Sequence, residues 1–242
     1  MCSIVIRRDP NADWPVLIAA NRDEMRDRPW DAPARHWPDR PDIVAGLDRL
    51  AGGSWLGLND TGVVASVLNR HGTLGPAAGK RTRGELVLDA LDYADAADAA
   101  RAFATIDTAS YRPFNMLIAD DRDAFWLKST GTGRVAVEAL PVGVSMITAD
   151  DRNDPASPRI AFNLPRFEAG ADDWHVWERL LASREGPAEK SYMRVDLPSG
   201  FGTSSHSLIA LPTTRREHSL KPLWRFAAAS GDSPAFEPVK LR

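Results

Sequence analysis

Cysteine is nearly absent from this 242-residue chain, and the only one is Cys2. No internal disulfide can form, so packing alone must hold the fold, which suits a reducing compartment. Long hydrophobic runs are absent too. No stretch approaches the roughly 18 to 20 apolar residues that a spanning helix needs, and residues 1–8 lack the charged-then-apolar layout of a signal peptide. No integral membrane segment and a cytoplasmic location are therefore expected. Neither sign of charge dominates: 30 basic and 33 acidic residues leave a net charge of −3. That balance excludes the electrostatic footprint of a nucleic-acid or anionic-membrane binder and leaves a small molecule as the expected partner. His36, His71, His175, His206 and His218 show no metal-ligand spacing and read as structural or surface residues, and there is no Cys-x-x-Cys-His run for covalent haem. Neither a metal nor a cofactor is expected. Internal repeats, coiled-coil heptads and long low-complexity tracts are missing, and nothing in the sequence sets the oligomeric state.

What is present is the composition of an ordinary globular protein, 43% hydrophobic and 26% charged, with enough apolar material for one large core. A single domain over residues 1–228 and a loose tail over 229–242 are expected. Near the start, Cys2, Ile4 and Ile6 share one face of a strand, and residues 16–20 are a continuous apolar run suited to a strand buried on both faces. Residues 28–41 are dense in Pro, Trp, Arg and Asp. Their prolines lack amide donors, which predicts an ordered loop or lid. Segments 54–58 and 63–68 flank Asn59-Asp60-Thr61-Gly62, a hairpin turn. Thr82 and Glu85 have capping-box spacing before a helix over 83–93, and alanine-rich 96–104 forms a second helix after Asp95. Segments 114–119, 124–128, 135–139 and 144–148 read as an antiparallel meander. Trp174, Trp177, Leu180 and Leu181 repeat at helical spacing after Asp172 as N-cap, following a shorter helix over 159–167. The last strands are expected over 207–211 and 219–226. This order predicts an α+β fold with helices outside antiparallel sheets, not the β-α rhythm of a doubly wound fold.

The place of Cys2 is the most informative feature. Removal of Met1 would leave a thiol and an α-amine on one residue, a nucleophile with its own base. The other reading is a small buried apolar residue in a first strand. Unperturbed values of about 7.7 to 8.0 for the amine and about 8.5 for the thiol give competent states near neutral pH. Arg22, Asp23 and Glu24 follow a buried strand, where unpaired charge is costly, so pairing or ligand contact is expected. If the strand continues, Arg22 and Glu24 share one face and Asn21 and Asp23 the other, so only one pair faces Cys2. Trp30 and Trp37 could roof an apolar ligand or anchor the proline-rich segment. Residues 72–80, with Arg81 and Arg83, lack the P-loop pattern and read as a mobile solvated loop.

Four segments taken together, Met1-Cys2, Ala20-Asn21-Arg22-Asp23-Glu24, Gly52-Gly53-Ser54-Trp55-Leu56-Gly57-Leu58-Asn59 and Arg83-Gly84-Glu85-Leu86-Val87, resemble the NRDE family, that of the transport and Golgi organisation protein 2 homologues. Phe114-Asn115-Met116-Leu117 and Phe201-Gly202-Thr203 extend the likeness over most of residues 1–211. That family is similar in turn to the N-terminal nucleophile hydrolases that act on bile-salt and acyl amides. The resemblance implies a four-layer αββα sandwich of antiparallel sheets, with Cys2 at the mouth of a pocket and activated by its own amine. It implies hydrolysis of an amide or thioester of a small acyl or lipid-like substrate, with Cys2, Arg22 and Asp23 in the catalytic set. Asn69 is expected as an oxyanion donor, because the run from Gly57 to Asn69 resembles the hydrolases' run ending in such an asparagine; the other reading is a strand-end asparagine bonding a turn. Asn115 is a further donor or orders a loop, and Asn21, Glu24 and Trp30 are expected beside the ligand. The alternative is a non-catalytic carrier of acyl-CoA, another lipid or haem in the same pocket. Three departures from the hydrolase pattern stand out. Arg22 and Asp23 are adjacent where the hydrolases space an arginine and an aspartate three apart, Ile147-Thr148-Ala149-Asp150 stands where an asparagine donor is usual, and no late arginine is recognisable near Ser204-Ser205-His206.

Overall fold

A computed structural model of the chain describes residues 2–171, 173–214, 220–231 and 234–241. The strands are β1 (Ser3–Arg8), β2 (Val16–Met25), β3 (Trp30–Ala34), β4 (Ile43–Asp48), β5 (Leu56–Asn59), β6 (Val64–Asn69), β7 (Phe114–Ala119), β8 (Ala124–Ser129), β9 (Ala136–Ala139), β10 (Gly143–Ile147), β11 (Phe201–Leu211), β12 (Leu223–Ala228) and β13 (Glu237–Pro238). The helices are α1 (Gly84–Leu91), α2 (Ala96–Phe103), α3 (Pro158–Ala169) and α4 (Trp174–Leu181). They fall into two compact units, residues 1–28 with 141–239 and residues 29–140 with 240–242. Each unit is an antiparallel sheet with helices packed on it, the α+β class expected from the sequence.

In the first unit the strand order is β10-β1-β2-β11-β12-β13. The apolar run of β2 lies between β1 and β11 and is buried on both faces, which is why it shows no alternation. On one face Val5, Leu17, Ala19, Met146, Leu208 and Ala210 pack against Ile160 and Phe167 of α3 and Trp177 and Leu181 of α4. Phe167 meets Trp177 edge to face at 5.2 Å. Asp173 caps α4, its carboxylate accepting from the N–H groups of His175 and Val176 at 2.8 and 3.3 Å; Asp172, the expected cap, lies outside the described residues. Helix α3 is longer than expected because Pro158 opens its first turn, where a missing N–H costs nothing.

The expected meander is corrected here. Strands β7, β8 and β9 do follow one another, but β10 pairs with β1, Ile4 opposite Ile147. A period-2 pattern says which face is buried and not which strand is the neighbour. Strand β11 begins at Phe201, six residues earlier than expected, since its polar start from Thr203 to His206 finds partners along β2. Strand β12 begins at Leu223, and Ser219 lies outside the described residues. Within residues 229–242, Glu237 and Pro238 pair with Phe226 and Arg225.

In the second unit the order is β3-β4-β5-β6-β7-β8-β9. Leu86, Leu91, Ala99 and Phe103 of α1 and α2 cover Ala45, Ala65, Met116 and Ile118 on one face of it. The proline-rich segment is not loop throughout. Trp30–Ala34 is an edge strand paired with β4, and Pro33 sits in an irregularity between Asp31 and Ala34, where no donor is needed. The hairpin turn is as expected: the Asn59 side-chain oxygen accepts from the N–H groups of Thr61 and Val63, and its amide donates to the carbonyls of Leu91 and Tyr93 at 2.8 Å each. Asp95 caps α2 by accepting from Asp98 N–H at 2.8 Å. The capping box at α1 does not form, because the Glu85 carboxylate bonds Arg81 instead and Arg83, at the cap position, donates to Thr73 and the Pro113 carbonyl.

Glycine allows the close approaches around α1. A Cβ on Gly53 would lie 2.5 Å from the carbonyl carbon of Gly84, and one on Gly57 2.5 Å from the Leu91 side chain. Residues 72–80 are tied down rather than free. The Arg112 guanidinium gathers the carbonyls of Gly72, Leu74, Gly75 and Pro76 at 2.8 to 3.2 Å, so carbonyl oxygens turn inward where an anion cradle would need N–H groups. Among the described residues no helix is long and apolar enough to cross a membrane.

Candidate functional site

Cys2 immediately precedes β1, and the register that sets Ser3 opposite Asn21 brings it beside Arg22 and Asp23. Its sulfur lies 3.3 Å from the Asp23 N–H donor and 3.5 Å from the Asp23 carbonyl oxygen, which its S–H can reach. The contact is with the Asp23 backbone. The carboxylate points to the helix side of the sheet, where Arg159 Nη1 donates to Oδ2 at 3.1 Å and Thr203 Oγ1 donates to Oδ1 at 2.7 Å.

Strand β2 runs unbroken through Met25, so side chains alternate across the NRDE stretch. Asn21 and Asp23 take the face covered by α3 and α4. Asn21 donates to the carbonyls of Leu181 and Met193 at 2.9 and 3.0 Å and accepts from His206 Nδ1 at 2.7 Å. Its polar atoms are therefore spent on tying the helix layer to the sheet. Arg22 takes the Cys2 face and is nevertheless buried. It donates to Ser204 Oγ at 3.0 Å, and Ser204 in turn donates to the Arg22 carbonyl at 3.1 Å, across the bulge where β11 changes register. Glu24 accepts from the Met25 N–H at 2.9 Å and stands 3.8 Å from Arg28.

Burial raises the Cys2 thiol above its ordinary value, and the Asp23 carboxylate adds to this; the chain's amino terminus, the Asp23 N–H and Arg22 act the other way. A thiol that keeps its proton at neutral pH needs a base when it attacks. Met1, whose removal would expose that base, lies outside the described residues. At the end of β10 the Thr148 hydroxyl donates to Asp150 at 3.2 Å, and the Asn153 side-chain oxygen accepts from Met146 N–H at 2.7 Å.

The other expected residues belong to the second unit. Asn69 ends β6, half-buried and opposite Phe114. Asn115 is buried in β7, its oxygen accepting from Arg70 at 2.7 Å and from Trp126 at 3.3 Å. Trp30 lies edge-on to Trp55 with ring centres 5.9 Å apart. A cavity of about 520 Å³ also opens there, between Arg81, Tyr93, Phe103 and Tyr111. Among the described residues no group of three or more His, Cys, Asp or Glu side chains could hold a metal.

Sequence reasoning missed Arg159, Thr203 and Ser204. For Arg159 a signal existed: a cation one residue into a helix opposes the macrodipole, so it must be wanted there by something else.

Residues 1–168 match the family described as Transport and Golgi organisation 2. The chain belongs to this family. In this family member the NRDE stretch is the tail of β2, while the glycine-rich segment and the one opening α1 meet where Gly53 abuts Gly84. No curated protein sequence matches it. Among solved structures it is similar to the Caenorhabditis elegans ortholog of N-acylethanolamine-hydrolyzing acid amidase, with 13% identity and a TM-score of 0.63 over 89% of this chain and 94% of that one. A variant of the conjugated bile acid hydrolase from Clostridium perfringens gives 10% identity and a TM-score of 0.60, covering 98% and 92%. Penicillin V acylase from Agrobacterium tumefaciens gives 14% and 0.53, covering 97% and 84%. At these identities the likeness is one of fold, that of the N-terminal nucleophile hydrolases.

Proposed function

We propose that the chain is an amidohydrolase-like enzyme of the N-terminal nucleophile type, acting on an amide or thioester of a small acyl or lipid-like substrate in a reducing, cytoplasmic setting. The observation that carries the reading is the Asp23 N–H set 3.3 Å from the Cys2 sulfur at the head of β1. Names of the fold's neighbours, an amidase, a bile acid hydrolase and an acylase, support an acyl-amide substrate.

In this reading loss of Met1 frees the Cys2 amine, which takes the thiol proton as sulfur attacks the carbonyl carbon. The oxygen that becomes negative needs a donated hydrogen bond. The ammonium then protonates the leaving nitrogen or sulfur, and water cleaves the acyl thioester. Arg22, a buried cation on the Cys2 face, favours the thiolate. The test combines intact mass, to detect Met1 removal, with a panel of N-acyl amides and acyl thioesters. Cys2→Ala and Cys2→Ser should abolish turnover and the acid-stable acyl adduct while leaving the circular dichroism spectrum unchanged; undiminished turnover in both variants overturns the proposal.

The raised thiol favours a second reading, a carrier of acyl-CoA, another lipid or haem. There Cys2→Ala keeps ligand affinity and Arg22 or Glu24 substitutions weaken it. Titrations of acyl-CoA and haem without saturable binding reject it.

A further inference from the structure

We propose that Arg159 is a positioning residue for Cys2, acting through Asp23: one guanidinium nitrogen holds Ser3 and the Asp23 carboxylate together and so fixes the Asp23 N–H on the sulfur. This rests on the reading of Cys2 as nucleophile. Arg159 Nη1 donates to Ser3 Oγ at 2.9 Å and to Asp23 Oδ2 at 3.1 Å. Ser3 is the residue after the nucleophile, and Asp23 carries the N–H that meets it. The same nitrogen therefore anchors β1 and β2 on either side of Cys2. Thr203 binds the other carboxylate oxygen from β11, so the Asp23 backbone has little room to turn.

The arrangement is also electrostatic. The Arg159 and Asp23 side chains are 7% and 0% exposed, so little water screens the pair. Among the described residues, charged groups on the elements packed here include Asp23 and Arg22 on β2, Arg159 on α3 behind Asp23, and Arg194, which with Asp23 faces His206; the chain's amino terminus also acts on the thiol. On β11 the nearby Thr203 and Ser204 are uncharged, and on the β10 side Asp150 is bonded to Thr148. Arg159 thus offsets the one carboxylate that opposes a thiolate. Losing it should leave that carboxylate uncompensated and loosen the N–H contact, and both effects push the thiol the same way.

Because the chain has one cysteine, thiolate ultraviolet absorbance against pH, with Cys2→Ser as baseline, reads this residue alone. Arg159→Met should move the profile up by at least about one pH unit, roughly a tenfold loss of thiolate at neutral pH. Asp23→Asn should move it down, because the carboxylate that opposes a thiolate is gone while the Arg159 charge remains. The double variant should return close to the parent, and Arg159→Lys should lie between. If Arg159→Met does not fold, the return from Asp23→Asn to the neutral double variant carries the same sign test. Shifts of one sign in both single variants, or profiles that do not move, overturn the assignment. A thiol that follows this pattern yet forms no acyl adduct keeps Arg159 in its role and rejects the hydrolase.

Discussion

Acid should weaken this protein through His206. The ring is fully buried, its Nδ1 lies 2.7 Å from Asn21 Oδ1, and its Nε2 has no hydrogen-bond partner among the described residues. Asn21 donates both its amide protons elsewhere, so its oxygen must accept and the histidine proton is assigned to Nδ1. Burial lowers the pKa from 6.5 to about 4, with the nearby Arg194 adding to the shift and Asp23 opposing it. Well above pH 6.5 the ring is neutral in both folded and unfolded chains and contributes nothing to a pH dependence. As the pH falls from there the unfolded chain takes up a proton that the folded one refuses. Stability drops until about pH 4, where the folded ring also titrates. The gap corresponds to about 3 kcal/mol, a large part of the roughly 5–15 kcal/mol that holds a typical domain. Urea unfolding at steps between about pH 7.5 and about pH 4.5 measures it when His206→Gln is run beside the parent, because subtraction removes every other titrating group. The difference between the two should narrow by roughly 3 kcal/mol toward the acid end. A difference that stays flat with pH refutes the buried neutral ring.

Three further substitutions probe the second unit. Gly53→Ala should cost about 3 kcal/mol in urea unfolding, since its Cβ would meet backbone of Gly84 at 2.5 Å, whereas neighbouring Gly52→Ala, with φ of 74° and open space around it, should cost only about 1 kcal/mol for the left-handed backbone. Equal costs at the two positions would show that the close crossing is not what constrains this motif. Asn59→Ala should lower stability by roughly 3 kcal/mol, because it strands the Val63 N–H and removes the donor to Leu91 and Tyr93; a loss below about 1 kcal/mol would mean that water replaces the side chain.

Local signals served well wherever the cause was local. The uninterrupted run at 16–20, the cap at Asp95 and the helical repeat of Trp174, Trp177, Leu180 and Leu181 each describe a residue's immediate burial or bonding, and each element is where it was expected. Partner choice was not legible. Nothing in Gly143–Ile147 says that it joins β1, and Pro33 hid β3 because a proline's cost depends on whether its strand is an edge. In the site, the alternation of Asn21, Arg22, Asp23 and Glu24 was readable, but the contacts that use it come from distant sequence. Arg159 lies 156 residues from Ser3, and Thr203 lies 180 from Asp23.

The first unit is assembled from both ends of the chain, with residues 29–140 made in between. During synthesis β1 and β2 emerge early as a bare hairpin with two open edges, and the strands that cover those edges, β10 and β11, arrive only after residue 142 and residue 200. Until then the sulfur's surroundings are unfinished and the hairpin is exposed to wrong pairing, so a ribosome that stalls before β11 should release an aggregation-prone fragment. The surroundings of Cys2 are thereby completed only once β11 has been made.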